Sequence, residues 1–147
     1  MFDDLRDLYQ DVILDRGRNP RHGLRLEVFD ATAKGDNPMC GDRVQVWVRR
    51  AGDGSVANVG FEARGCHISI AAADLMVDAV QGLAAEDART LFATFTKLVR
   101  TGHADAAPAE LQPMAGVHEF PSRVKCATLP WHALMAALDG AQEASSE

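Results

Sequence analysis

The chain has 147 residues, 47 % of them hydrophobic and 24 % charged, the balance of an ordinary globular protein. With 15 Lys and Arg against 21 Asp and Glu its formal net charge is −6, which leaves no concentrated basic footprint for nucleic acid or an anionic membrane surface. No apolar run approaches the roughly 18 residues of a membrane span, and the acidic start MFDDLRDLYQ lacks the pattern of a secretory signal. The expectation is one domain over 1–147, in the cytoplasm, with residues 140–147 a frayed tail.

The first segment reads as a helix. Leu5, Leu8, Tyr9, Val12 and Ile13 recur at three- and four-residue steps, and Gly17 with Asn19-Pro20 can end it. Three strands are expected next, at 24–32 (LRLEVFDAT), 43–50 (RVQVWVRR) and 56–64 (VANVGFEAR). In the second, Val44, Val46 and Val48 share one face, and Gln45, Trp47 and Arg49 the other. Gly52-Asp53-Gly54 between the last two strands is a hairpin turn signal. Short connections favour an antiparallel meander, hence a three-stranded antiparallel sheet packed against helices, an α+β fold.

From His67 the pattern turns helical, with a small face at Ala71, Ala72, Ala73 and Ala79 that permits close approach to the sheet. A second helix is expected from Glu86 to Arg100, with Ala88, Leu91, Phe92, Phe95, Leu98 and Val99 as its stripe and Gly102 at its end. Residues 101–120 carry two prolines and read as a loop with at most one helical turn. Beyond Pro121 two short helical pieces are expected, because Pro130 disfavours a continuous helix.

The three cysteines, Cys40, Cys66 and Cys126, fall at the ends of these elements, and Asp42 stands two residues after the first. Three thiols and a carboxylate supply four ligands, the number a tetrahedral zinc site takes. The same set is close to what a [2Fe–2S] cluster needs, and three unrelated buried thiols is the plain alternative. An odd count of cysteines in a reducing compartment argues against disulfides. Cys66 precedes a helix N-terminus, and Arg64, Arg123 and Lys125 flank two of the thiols; each feature favours a thiolate. His67 is a further candidate ligand. His22, His103, His118 and His132 show no spacing that suggests a site.

Four blocks, YQDVILDRGRNPRHG, GDNPMCGDRVQVWV, GFEARGCHISIAAADLM and GVHEFPSRVKCATLPWHAL, resemble in order those of the U-type iron–sulfur cluster assembly family (IscU, SufU and the NifU N-terminal domain). The resemblance runs from about Leu8 to Leu138. Lys125 before the third cysteine, where the IscU branch has a histidine, and the long span from Cys66 to Cys126 resemble the SufU branch. The resemblance implies that Cys40, Asp42, Cys66 and Cys126 bind one zinc ion. It implies that Cys40 accepts persulfide sulfur from a SufS-type, PLP-dependent cysteine desulfurase, with a desulfurase histidine taking its place on the metal and Arg123 in support. This is a sulfurtransferase-like accessory role, with downstream assembly proteins as further partners. A scaffold carrying a transient [2Fe–2S] cluster, and a zinc-binding regulator of the desulfurase, are the alternatives. The chain departs from the family's usual residues at Arg64, His67, Ala71 to Ala73 and Pro130.

Overall fold

The computed structural model describes residues 2–39 and 41–145, with side chains from Tyr9 to Ala144 apart from Cys40. Helix α1 (Phe2–Arg18) is followed by strands β1 (Ala31–Asn37), β2 (Asp42–Arg50) and β3 (Val56–Arg64). Helices α2 (His67–Val80) and α3 (Ala85–Thr101), a 3₁₀ helix (Ala109–Glu119), helix α4 (Pro121–Leu138) and a short strand β4 (Glu143–Ser145) complete the order. The fold is α+β as expected. Its sheet, however, is four-stranded and mixed, in the order β3-β2-β1-β4, because β4 adds parallel to β1. Residues 143–145, expected in a frayed tail, therefore cover the edge of β1, where unpaired backbone groups otherwise face solvent.

Helices α2 and α4 cover one face of the sheet. The valines of β2 alternate inward as their pattern requires, so Val44, Val46 and Val48 are buried beside Phe61 and Val59 of β3. Against them lie Ala72, Ala73, Leu75, Met76 and Val80 of α2 and Leu129, Ala133 and Leu134 of α4. In the small face of α2, Ala71, Ala72 and Ala73 are buried and Ala79 is half-buried. In α3 the expected stripe is also inward, and Phe95 stacks on the fully buried Trp131 with ring centroids 5.0 Å apart. Val12 and Ile13 of α1 pack on this core, while Leu5 and Leu8 of the expected stripe lie outside the described side chains.

Three sequence expectations fail, each for a packing reason. Residues 24–29 form no strand; they cross the outer face of the sheet, where Arg25 lies over the Trp47 ring at 5.5 Å. Val28 and Phe29, whose types suggest a strand, stay exposed, and the strand itself begins only at Ala31. The cover comes from Arg25 over the indole and Leu26 beside Gly60, which explains why Trp47 is buried although it faces away from the helices. A Cβ on Gly60, opposite Trp47, would lie 2.2 Å from the Leu24 carbonyl oxygen, so only glycine admits the crossing. The loop expected over 101–120 contains the 3₁₀ helix, in which Leu111, Met114 and Val117 are buried. Finally, α4 runs unbroken through Pro130. Proline withholds one hydrogen bond there, but residues 126–131 are all buried, and that apolar burial outweighs the roughly 3 kcal/mol cost.

An ionic cluster fastens α1 to α2. Arg16 reaches Asp74 at 2.6 Å and Asp78 at 2.8 Å, and His22 adds its backbone N–H to Asp74 and its Nε2 to Asp78. Asp74 is fully buried, so the partners offset a charge that water no longer solvates. Burial disfavours the Asp78 carboxylate, yet the hydrogen bonds from His22 and Arg16 hold its pKa below the usual range.

Gly60→Ala is expected to destabilise the fold by about 1–3 kcal/mol in urea unfolding, with a red-shifted tryptophan emission as Trp47 is uncovered. Arg16→Ala is expected to cost about 3–5 kcal/mol, since Asp74 stays buried without its counter-charge. The part of that loss due to Asp78 is complete above its unfolded pKa near 4 and disappears as pH falls through the lowered folded value. The gap between native and Arg16→Ala midpoints should therefore narrow below about pH 4.

Candidate metal centre

Asp42 opens β2 and pairs with Asn37 across the ladder, on the helix-facing side that Val44 and Val46 continue. Its side chain is 1 % exposed. Cys66 follows the end of β3 and caps α2, with extended φ −74° and ψ 157°. Its carbonyl accepts the N–H groups of Ser69 and Ile70, and its own N–H donates to Asp42 Oδ1 at 2.9 Å. Cys126 sits in the second turn of α4 and is fully buried. These three residues come from three separate elements, yet one ligand atom from each lies within 4.8 Å of the others.

Sequence reasoning placed all the thiols at element ends. That holds for Cys66, whereas Cys126 lies within a continuous helix, because α4 does not break at Pro130. Cys40, the fourth expected ligand and expected sulfur acceptor, lies outside the described residues. Its neighbours are tied down: the Met39 N–H donates to Asn37 Oδ1 at 3.2 Å and the Gly41 N–H to the Asn37 carbonyl at 2.9 Å. Arg123 is exposed in the first turn of α4, three residues before Cys126 and so on the same side of the helix. Arg64 and Lys125 are exposed. His67 is not among the residues brought together; its Cβ and carbonyl instead abut Gly17 of α1.

Gly65 reads in the sequence as a residue that allows a tight turn or close backbone approach, and the structure shows what it makes room for. Its φ is +131°, and a Cβ there would lie 2.0 Å from Asp42 Oδ1. The missing side chain is what lets the carboxylate reach the Cys66 amide. The only local hint was the Gly-Cys pair itself.

The donor set fits a zinc ion. Tetrahedral coordination at ordinary Zn–S and Zn–O lengths places neighbouring ligand atoms about 3.5–3.8 Å apart. Cys66 Sγ and Asp42 Oδ2 are 3.9 Å apart, close to that edge. No cationic side chain pairs with the buried Asp42 carboxylate among the described residues, so a bound cation would supply the missing counter-charge. Two thiolates with one carboxylate suit a borderline-soft ion better than calcium or magnesium. The N-terminus of α2 also directs its positive end at the cluster, favouring anionic ligands there.

The description of NifU-like N-terminal domains matches residues 8–139. The chain belongs to this family. It is 36 % identical over 137 residues to the iron–sulfur cluster assembly scaffold protein IscU of Streptococcus pyogenes serotype M1, covering 91 % of this chain and 84 % of that one. It is also 36 % identical over 135 residues to the zinc-dependent sulfurtransferase SufU of Bacillus subtilis (strain 168), covering 88 % of each. Among solved structures, a putative iron–sulfur cluster assembly scaffold protein for the SUF system from Fervidobacterium islandicum AW-1 superimposes with a TM-score of 0.81 at 26 % identity, covering 90 % of this chain and 98 % of that one. No helix among the described residues is long and apolar enough to cross a membrane.

Gly65→Ala is expected to displace the Asp42 carboxylate from the Cys66 amide. The measurable outcome is a loss of at least about 1–3 kcal/mol in unfolding free energy, the scale of forced overpacking, together with weakened metal retention on dialysis against a chelator.

Proposed function

We propose that this member of the family is a zinc-dependent sulfur acceptor, which takes persulfide sulfur from a SufS-type cysteine desulfurase in the cytoplasm for iron–sulfur cluster assembly. The observation that carries the reading is the convergence of Asp42, Cys66 and Cys126 within 4.8 Å. Asp42 stands two residues after Cys40 in the sequence, the spacing on which the reading of Cys40 as fourth ligand rests. In this reading Cys40, Asp42, Cys66 and Cys126 hold the zinc ion. Bound zinc keeps cysteine ligands as thiolates at neutral pH.

The transfer itself belongs to the chain. The Cys40 thiolate attacks the outer sulfur of the desulfurase persulfide. The S–S bond of that persulfide breaks as the bond from Cys40 Sγ to the transferred sulfur forms, and the desulfurase cysteine leaves as a thiolate. No electrons are gained or lost overall. Arg123 supports negative charge near the acceptor from the first turn of α4.

The Bacillus subtilis relative, named as a zinc-dependent sulfurtransferase, supports this reading at the same identity as the relative named as a scaffold. Lys125 before Cys126 and the long segment between Cys66 and Cys126 tip the balance to the former. The second reading is a scaffold on which a [2Fe–2S] cluster assembles transiently at these cysteines, as the names of the Streptococcus pyogenes and Fervidobacterium relatives suggest.

Zinc is expected to co-purify in near-equimolar amount, and adding the protein should raise desulfurase turnover. Cys40→Ser should abolish the rise; full stimulation by that variant would sink the acceptor role and leave a zinc-binding regulator. A cluster with charge-transfer absorption, required for the chain's function after anaerobic iron and sulfide addition, would favour the scaffold. Asp42→Asn keeps an acceptor for the Cys66 amide but removes the negative ligand. It is expected to weaken zinc binding by more than about 100-fold, beyond the roughly 10–100-fold typical of outer-shell partners, as read by competition with a chelator.

A further inference from the structure

A second polar constellation lies between α3 and α4. Phe92, Thr96 and Arg100 of α3 face Val124, Lys125, Thr128 and His132 of α4 around a cleft of about 230 Å³. The two helices contribute residues at four-residue steps, so each presents one continuous stripe. No carboxylate lines the cleft, although acidic residues outnumber basic ones in the chain by 21 to 15. Neither Arg100 nor Lys125 makes an ion pair among the described residues.

The floor is aromatic and fixed: Phe92 meets His132 edge-on at 5.0 Å and stacks on Trp131 at 6.2 Å. Beside it, the Thr128 hydroxyl donates to the Lys125 carbonyl over a long 3.5 Å, a weak bond that an anion can replace, and the residue is only 5 % exposed. An Arg fork, an ammonium, a hydroxyl and an imidazole thus surround one small space. Arg100 and Lys125 are exposed and solvated, so an anion entering the cleft meets two cations and no competing carboxylate.

We infer that this cleft binds a small tetrahedral oxyanion of the phosphate class, held by Arg100, Lys125 and Thr128 over His132. A helix advances about 100° per residue, so Cys126 faces away from Thr128 and His132, and the cleft is separate from the metal centre. Burial, and then the neighbouring Arg100 charge, push the His132 pKa below its ordinary value. A bound anion offsets the Arg100 charge and relieves the second of these effects.

The test is a proton NMR titration of the His132 ring in the full chain as purified, adding sodium phosphate against sodium chloride at matched ionic strength. A saturable phosphate-specific shift is expected, with the His132 pKa moving upward at saturation. Arg100→Gln should weaken phosphate binding about tenfold or more, the loss of one charge-assisted contact, while the zinc content stays unchanged. Thr128→Val should weaken it as well. Phosphate behaving like chloride, or binding equally well to native protein and Arg100→Gln, overturns the assignment.

Discussion

One hydrogen bond organises the candidate metal centre: the Cys66 backbone N–H to Asp42 Oδ1 at 2.9 Å. It links the start of β2 to the junction of β3 and α2, and it uses a helix-terminal N–H that the helix itself cannot satisfy. Asp42 is consequently buried with a fixed orientation, one oxygen committed to the amide and the other directed toward Cys66 Sγ. The antiparallel pairing of β2 with β3 brings these two ends together, because Arg43, next to Asp42, pairs with Arg64, two residues before Cys66. The site is therefore a product of strand register. A slip of one residue would turn Asp42 outward with every valine of β2.

Much of this was legible in the sequence where periodicity was clean. Alternation in RVQVWVRR and VANVGFEAR gave β2 and β3, and the apolar stripe gave α3, because in these segments local pattern and tertiary burial agree. The segment LRLEVFDAT misled because Val28 and Phe29 have strand-favouring side chains yet lie exposed outside the ladder, and only its last two residues, Ala31 and Thr32, enter β1. Pro130 misled because its local cost is visible in the sequence, whereas the burial of Leu129, Trp131 and Leu134 that overrides it is not. For the metal centre, the chain supplied the identities of Asp42, Cys66 and Cys126 but not their separation. The need for Gly65 to lack a Cβ depends on where Asp42 arrives from β2, which no local pattern encodes.

Pro130 bears on the site as well as on the helix. With no N–H, it withholds from the Cys126 carbonyl the donor that a helix normally provides four residues on. The backbone at the third cysteine is thus less constrained by its own helix than a regular turn would be. Its position rests instead on the buried side chains around it, with Ala127 and Leu129 facing the core formed with α2 and the sheet. A thiol in a candidate metal site, supported mainly by packing, can adjust by small amounts without breaking a hydrogen-bond ladder.

The clasp at Asp74 has a consequence for the way the molecule opens. Helix α1 cannot peel away alone, since its departure would take Arg16 from a carboxylate with no exposure to water. Partial unfolding at the N-terminal side is thereby coupled to α2, whose first residues flank Cys66. Amide hydrogens of α2 and of the last turns of α1 should exchange as one cooperative unit, not as a fraying end and a stable core. A breathing motion that would otherwise stay local is in this way converted into an all-or-none event that includes the helix terminus at the candidate metal centre.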